Sequence, residues 1–73
     1  MAKFEAKSEV NGAVWKIQVQ PGQKVGAGDT LVLIESMKME IPVIADEDGT
    51  VVSVQVKEGD PVVEGQVIVM LEG

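Results

Sequence analysis

The chain is 73 residues long, carries a formal net charge of −6, and contains no cysteine and no histidine. A chain of this length forms one small domain and cannot enclose a deep active site, so a complete stand-alone enzyme is not expected. The missing residue types exclude disulfides, Cys/His zinc sites and imidazole proton transfer, and the acidic balance opposes binding to nucleic acid or to anionic membranes.

The residue pattern predicts short β-strands along the whole chain. Valine is abundant, and apolar residues alternate in two stretches, Trp15, Ile17, Val19 and Val52, Val54, Val56. Such alternation is typical of half-buried strands, and nothing favours a helix. In chain order we expect first strands at residues 3–6 and 40–43, very short third strands at residues 24–25 and 61–62, and a fourth strand at residues 30–35 that has a counterpart before the C-terminus. Strict alternation also places Trp15 on the core side.

An internal repeat organises these strands. Residues 12–35 align with residues 49–72 at a constant offset of 37 without a gap. The predicted turn glycines recur at matching places, which suggests that they supply positive φ angles. They are Gly12, Gly22 and Gly28 in the first half and Gly49, Gly59 and Gly65 in the second. Two intertwined halves of about four strands predict a small closed sandwich or flattened barrel over residues 1–73, because closure protects short strands from exposing their edges.

The turn at residues 36–39 differs from every other turn in the chain. The others contain Gly, Pro, Asn or Asp, whereas here Lys38 lies between Met37 and Met39. No rule of turn chemistry asks for these residues. The repeat predicts that this turn lies at the opposite end of the domain from the chain termini. Two interpretations are open: an exposed turn lysine with methionines packed on the barrel end, or a lysine that carries chemistry.

The sequence around this turn resembles the biotin/lipoyl attachment domain family. The run Glu35-Ser36-Met37-Lys38-Met39 is similar to the attachment motif of biotinyl domains, Gly28-Asp29-Thr30-Leu31 begins ten residues before the lysine, and Gly49-Thr50-Val51 begins eleven after it. The resemblance covers nearly the whole chain. It implies an all-β fold, a flattened barrel of two four-stranded antiparallel sheets with quasi-two-fold symmetry and the lysine on an exposed hairpin.

The same resemblance implies a non-catalytic carrier. Lys38 would accept covalent biotin from a biotin protein ligase, and the domain would carry carboxybiotin from a biotin carboxylase to a carboxyltransferase. Ligase or partner recognition would involve Glu35, Ser36, Met37, Met39 and Glu40, although the residues themselves favour interpreting the two glutamates simply as exposed strand-end charges. We expect a cytoplasmic location, because the N-terminal residues lack a signal-peptide core, and a monomer when the domain is isolated. No metal site is expected, because residues 46–49 lack the later ligands of a calcium loop.

Two features keep alternatives open. Ser36 replaces the alanine common in biotinyl domains, and Glu-Ser before the lysine, like Glu40-Ile41-Pro42 after it, is also at home in lipoyl domains. Lys38 is therefore also a candidate for lipoate, attached by a lipoyl ligase in a 2-oxo acid dehydrogenase-type complex, or for both groups. Met37 argues against lipoate, because lipoyl domains favour aspartate there. An unmodified interaction module is a further alternative.

Overall fold

The computed structural model describes residues 2–73, and the part of the chain it describes contains eight strands and no helix. No segment in that range is therefore a helix that could cross a membrane. The very short third strand of each half is confirmed at the predicted residues. The strands are β1 (Lys3–Lys7), β2 (Gly12–Ile17), β3 (Lys24–Val25), β4 (Thr30–Ser36), β5 (Met39–Ile44), β6 (Gly49–Val54), β7 (Pro61–Val62) and β8 (Val67–Glu72).

The strands form two four-stranded sheets, in the orders β1-β8-β6-β3 and β5-β4-β2-β7, and all the pairings are antiparallel. We call them sheet A and sheet B. Each sheet takes two adjacent strands from one half of the chain and its two edge strands from the other half. The predicted all-β fold of two interleaved sheets is confirmed.

Hydrogen bonds between the halves repeat with the same offset of 37 residues. The Gly22 N–H donates to the Val51 carbonyl oxygen, and the Gly59 N–H donates to the Val14 carbonyl oxygen, both over 2.8 Å. Each half therefore ties its own turn to a strand of the other half. Positive φ values of 87° to 93° confirm the expectation for four turn glycines, Gly22, Gly28, Gly59 and Gly65.

The positive φ expected at Gly12 and Gly49 is wrong. At both positions the missing side chain serves close backbone approach instead. A Cβ on Gly12 would overlap the carbonyl oxygen of Glu35, and a Cβ on Gly49 would lie 2.9 Å from the carbonyl oxygen of Glu72. Real Cβ atoms do not come so close to backbone oxygens, so glycine is required where the chain enters β2 and β6.

The core lies between the sheets and is built mainly from the long strands β4 and β8. Their inward side chains are fully buried, together with Val51 of β6. Burial of this kind contributes about 1.5–3 kcal/mol for each large aliphatic side chain. The β4 and β8 residues concerned are Leu31, Val32, Ile34, Ile68, Val69 and Leu71.

The core position predicted for Trp15 is wrong, because its side chain is 47% exposed. The register of β2 shifts between Val14 and Lys16, so one extra residue interrupts the pairing with β4. A β-bulge breaks the two-residue alternation, and both Trp15 and Lys16 then point outward. The same irregularity in β6 leaves Val52 exposed.

Candidate functional site

The hairpin between β4 and β5 has a two-residue loop, Met37-Lys38. Both residues adopt positive φ, 53° and 66°, which is the requirement of a type I′ turn. Such turns favour Asn-Gly, since other L-residues pay roughly 1–2 kcal/mol for this conformation. The sequence showed that turn chemistry does not explain Met-Lys here. It did not reveal the left-handed backbone, because neither residue is typical of it.

Contacts from outside the hairpin hold its base. The Ser36 hydroxyl donates a hydrogen bond to the Asn11 carbonyl oxygen over 2.7 Å, and the Glu64 N–H donates to the Asn11 side-chain oxygen over 2.8 Å. The missing Cβ of Gly12 lets the same loop approach Glu35. Sequence reasoning missed the positioning roles of Asn11 and Glu64. The repeat offers a signal for Asn11. The equivalent residue, Asp48, also has a side-chain oxygen that can accept a hydrogen bond from a backbone N–H.

The tip itself is open to solvent. Met37 is 93% exposed and Met39 is 63% exposed, so packing of the methionines on the barrel end is wrong as an explanation of their presence. Lys38 is also exposed, and within residues 2–73 its amine forms no ion pair. The amine is therefore accessible to another molecule, with exposed thioether side chains on both sides that offer adaptable apolar contacts.

All six recognition and attachment candidates lie in this one hairpin. Glu35 is directly opposite Glu40, and both are exposed. Like charges directly across a strand pair are destabilising. At the equivalent strand positions of sheet A, Lys3 is opposite Glu72, so the same backbone geometry is compatible with a pair of opposite charges. The two glutamates thus give the base of the hairpin a local negative charge that the fold does not require.

The hairpin tip and the described chain ends lie at opposite ends of the molecule, as the repeat predicts. The Gly73 N–H donates to the Ala2 carbonyl oxygen over 2.9 Å, beside the loop at Asp48. Asp48 accepts a 2.8 Å bond from Ala27, just before β4 begins. Strand β4 runs from this end to the hairpin, and the molecule measures 36 × 18 × 17 Å. The tip therefore projects away from the termini.

Several known proteins are similar to this chain in sequence. A family model described as "Biotin-requiring enzyme" (Biotin_lipoyl) matches residues 5–71. A biotin/lipoyl attachment protein of Bacillus subtilis is 44% identical over 86% of each chain, and the biotinylated protein TB7.3 homolog of Mycobacterium leprae is 42% identical over 92% of this chain and 94% of its own. The mitochondrial propionyl-CoA carboxylase alpha chain of Homo sapiens is 41% identical over 90% of this chain and only 9% of its own.

Solved structures share the fold. The urea carboxylase of Kluyveromyces lactis matches with a TM-score of 0.93 and 33% identity, over 99% of this chain and 6% of that protein. The lipoyl domain of the 2-oxoglutarate dehydrogenase complex from Azotobacter vinelandii matches with a TM-score of 0.72 and 30% identity, over 88% of this chain and 81% of that domain. The same architecture therefore occurs in a large carboxylase and in a small lipoyl domain.

Proposed function

The chain belongs to the biotin/lipoyl attachment family, and on that premise we propose that it is a biotin carboxyl carrier with Lys38 as the biotin acceptor. Members of this family are carrier domains rather than catalytic domains, and the biotin carrier domains of biotin-dependent carboxylases are homologous to this chain. One observation carries the assignment of the residue: an exposed lysine between two exposed methionines at the tip of an anchored hairpin.

The geometry of the tip fits covalent attachment of a long cofactor. Lys38 projects from a two-residue loop, so an attached group would stand in solvent rather than in a pocket of this domain. The bond to Asn11 holds the base of the hairpin while leaving the lysine side chain unrestrained. A cofactor on a flexible stem above a fixed base can enter the active sites of other proteins, which is what a carrier must do.

Attachment requires Lys38 to act as a nucleophile. Its Nζ, as the neutral amine, attacks the carbonyl carbon of biotinyl adenylate held by a biotin protein ligase. The C–N bond forms as the C–O bond to AMP breaks, and the surplus proton of the amine passes to the ligase or to solvent. The product is an amide, so the loss of one positive charge takes the formal net charge from −6 to −7.

The partners follow from the carrier role. When bound, biotin supplies the atom that takes up and releases a carboxyl group. Lys38 would present it first to a biotin carboxylase and then to a carboxyltransferase, and tethering raises the effective concentration at both. Homology to segments of propionyl-CoA carboxylase and urea carboxylase supports these partners. The cytoplasmic location and the monomeric state of the isolated domain remain predictions.

Lipoate is the second candidate for the same lysine. The similarity to a lipoyl domain, with a TM-score of 0.72 and 30% identity, supports it, as does the name of the Bacillus subtilis relative. Against it stands Met37, which is 93% exposed and therefore available to a ligase that reads the residue before the lysine. We accordingly propose biotin as the principal group and lipoate as a second group, attached by a lipoyl ligase.

The test is the intact mass of the chain after incubation with ATP and either a biotin protein ligase with biotin or a lipoyl ligase with lipoate, followed by peptide mapping. We expect one biotin per chain on Lys38, and none on Lys38→Ala. The variant should keep its free energy of unfolding within about 0.5 kcal/mol, because alanine at this positive φ is strained as lysine is.

The matched control is Lys57→Ala, which removes an exposed turn lysine elsewhere and should be biotinylated normally. Biotin on the Lys38→Ala chain would contradict the proposed acceptor. A lipoyl adduct alone would reverse the order of the two candidates. An unmodified mass with both ligases, each shown to be active on a control acceptor, would favour the unmodified interaction module.

A further inference from the structure

The outer faces of the two sheets differ, although the repeat makes their backbones equivalent. Sheet B presents an apolar outer surface, in which Trp15 is 47% and Ile44 is 45% exposed. We define the Trp15 face as the apolar outward side chains Trp15, Leu33, Pro42 and Ile44 of sheet B; the exposed Lys16, opposite Leu33, lies beside them. The equivalent positions of sheet A, at an offset of 37 residues, hold Val52, Met70, Glu5 and Lys7.

The fold does not require the apolar character of this face. Glu5 and Lys7 occupy the equivalent positions of sheet A as exposed residues, and they form an ion pair of 3.7 Å. The same strand geometry is therefore compatible with charged side chains. Isolated exposed apolar residues need no explanation, but a tryptophan within a cluster of them indicates an interaction surface.

The Trp15 face is continuous with the hairpin that carries Lys38. Leu33 pairs with Pro42, and two positions further along the same strands Glu35 pairs with Glu40. From Leu33 to Ser36, where β4 ends and the Met37-Lys38 loop begins, the strand rises by roughly 10 Å, at about 3.3 Å per residue. A standard protein interface buries about 800 Å² on each partner, so one partner can cover both the face and the hairpin.

We propose that the Trp15 face is the docking surface for the biotin protein ligase; this inference rests on the function proposed above. The ligase must bring its reactive site to the unmodified amine, within the length of one lysine side chain from the hairpin. The ligase must therefore contact the surface of this domain next to the hairpin tip. The carboxylase partners act on a group at the end of a long arm and can do so at a greater distance from the sheet.

The charged residues beside the Trp15 face indicate which charges the ligase surface should carry. Glu35 and Glu40 border the Trp15 face at its hairpin end and form no ion pair within residues 2–73. The expected ligase surface is an apolar patch that receives Trp15, with basic residues placed to meet the two glutamates. A second copy of this chain does not fit, because its own net charge of −6 would repel the first.

The repeat supplies matched variants. The face variant Trp15→Val/Pro42→Glu/Ile44→Lys gives sheet B the residues that sheet A carries at three of the four equivalent positions. The control variant Glu5→Ala/Lys7→Ala/Val52→Ala changes three residues on sheet A. Neither variant alters the formal net charge. Thermal unfolding shows whether both variants are folded. If the face variant does not fold, the single variant Trp15→Val replaces it in the measurement below.

The measurement is the steady-state rate of biotin transfer to each full-length chain by a purified biotin protein ligase with ATP and biotin. For the face variant we expect the KM for the chain to rise at least tenfold, with kcat changed less than about twofold, because docking is lost while residues 35–40 around Lys38 are unaltered. The control variant should match the original chain.

An unchanged KM for the folded face variant would overturn the proposal, as would an equal loss in the control variant. These results differ from a failure of the proposed function, which would show as no biotin on Lys38 of the original chain. A face variant that dimerises less than the original chain, with an unchanged KM, would assign the face to a second copy and would also refute ligase docking.

Discussion

The hairpin end of the molecule and the end that holds the chain termini are built from the same parts. At the hairpin end, the Asn11 side-chain oxygen accepts a 2.8 Å bond from the Glu64 N–H; at the other end Asp48 accepts one of the same length from the Ala27 N–H. The two ends differ in the side chains that they expose to solvent. The scaffold is therefore common to both ends, and the features for which we propose a function are departures from the internal symmetry.

These departures are concentrated on and beside the hairpin. Within residues 2–73, positive φ outside glycine occurs only in the Met37-Lys38 loop, and only at the base of that hairpin does a glutamate face a glutamate across the strands. Trp15, whose equivalent is Val52, extends the asymmetry down the outer surface of sheet B. The repeat provides a matched position for the glycine variants and for the charge pair below, whereas the Met37-Lys38 loop has no equivalent within the 73 residues.

The largest expected effect concerns the glycines where β2 and β6 begin. Gly12→Ala should lower the free energy of unfolding by about 2–3 kcal/mol, because its Cβ would overlap the backbone oxygen of Glu35 in a central strand. Gly49→Ala should lower the free energy of unfolding by about 1–2 kcal/mol. Its Cβ would lie 2.9 Å from the Glu72 carbonyl oxygen, and its other close neighbour would be the Phe4 ring. Chemical denaturation measures both.

Equal costs at Gly12 and Gly49 would show that the hairpin end is no more tightly held than the other end. Gly26→Ala is a suitable control, because the nearest atoms to its Cβ would be the Asp48 and Asp29 carboxylate oxygens, at 3.6 and 3.8 Å. It should change stability by less than either. A large loss in this control would mean that glycine replacement disturbs these loops for reasons other than backbone overlap.

The fold could be predicted from the sequence because the repeat constrains it. Turn residues, apolar alternation and the offset of 37 together predicted the short strands at residues 24–25 and 61–62 and the interleaved sheets. The bulges at Trp15 and Val52 could not be predicted in the same way. Both halves contain the extra residue, so the alignment stays free of gaps and the irregularity leaves no trace in it.

The sequence pointed to the residues of the candidate site but not to the contacts and backbone conformation that hold them. The motif around Lys38 and the unusual composition of its turn predicted where the chemistry would lie. The bond from Ser36 to Asn11 joins residues 25 positions apart, and the sequence offers no local signal for it. The strained turn was missed for a different reason: positive φ is predicted from Gly, Asn or Asp, and Met37 is none of these.

The second prediction tests that strain. Met37→Asn should raise the free energy of unfolding by about 0.5–1 kcal/mol, because asparagine tolerates the positive φ of the first turn position better than methionine does. The Met37 side chain is 93% exposed, so its replacement removes no contacts from the core. Met39→Asn is the control, as Met39 lies in strand β5 without positive φ. A gain of equal size in both variants would remove turn strain as the cause.

The smallest expected effect concerns the charge pair at the base of the hairpin. Glu40→Lys should stabilise the fold by about 0.2–1 kcal/mol, because it places opposite charges across the strands, as Lys3 and Glu72 are in sheet A. Glu47→Lys changes the net charge equally at an exposed turn, so the difference between the two variants isolates the pair. The difference should shrink at high salt. If Glu40→Lys also slows biotin transfer while stabilising the fold, the repulsive pair is retained for recognition at a cost in stability; if transfer is unchanged, the glutamates are simply exposed strand-end charges.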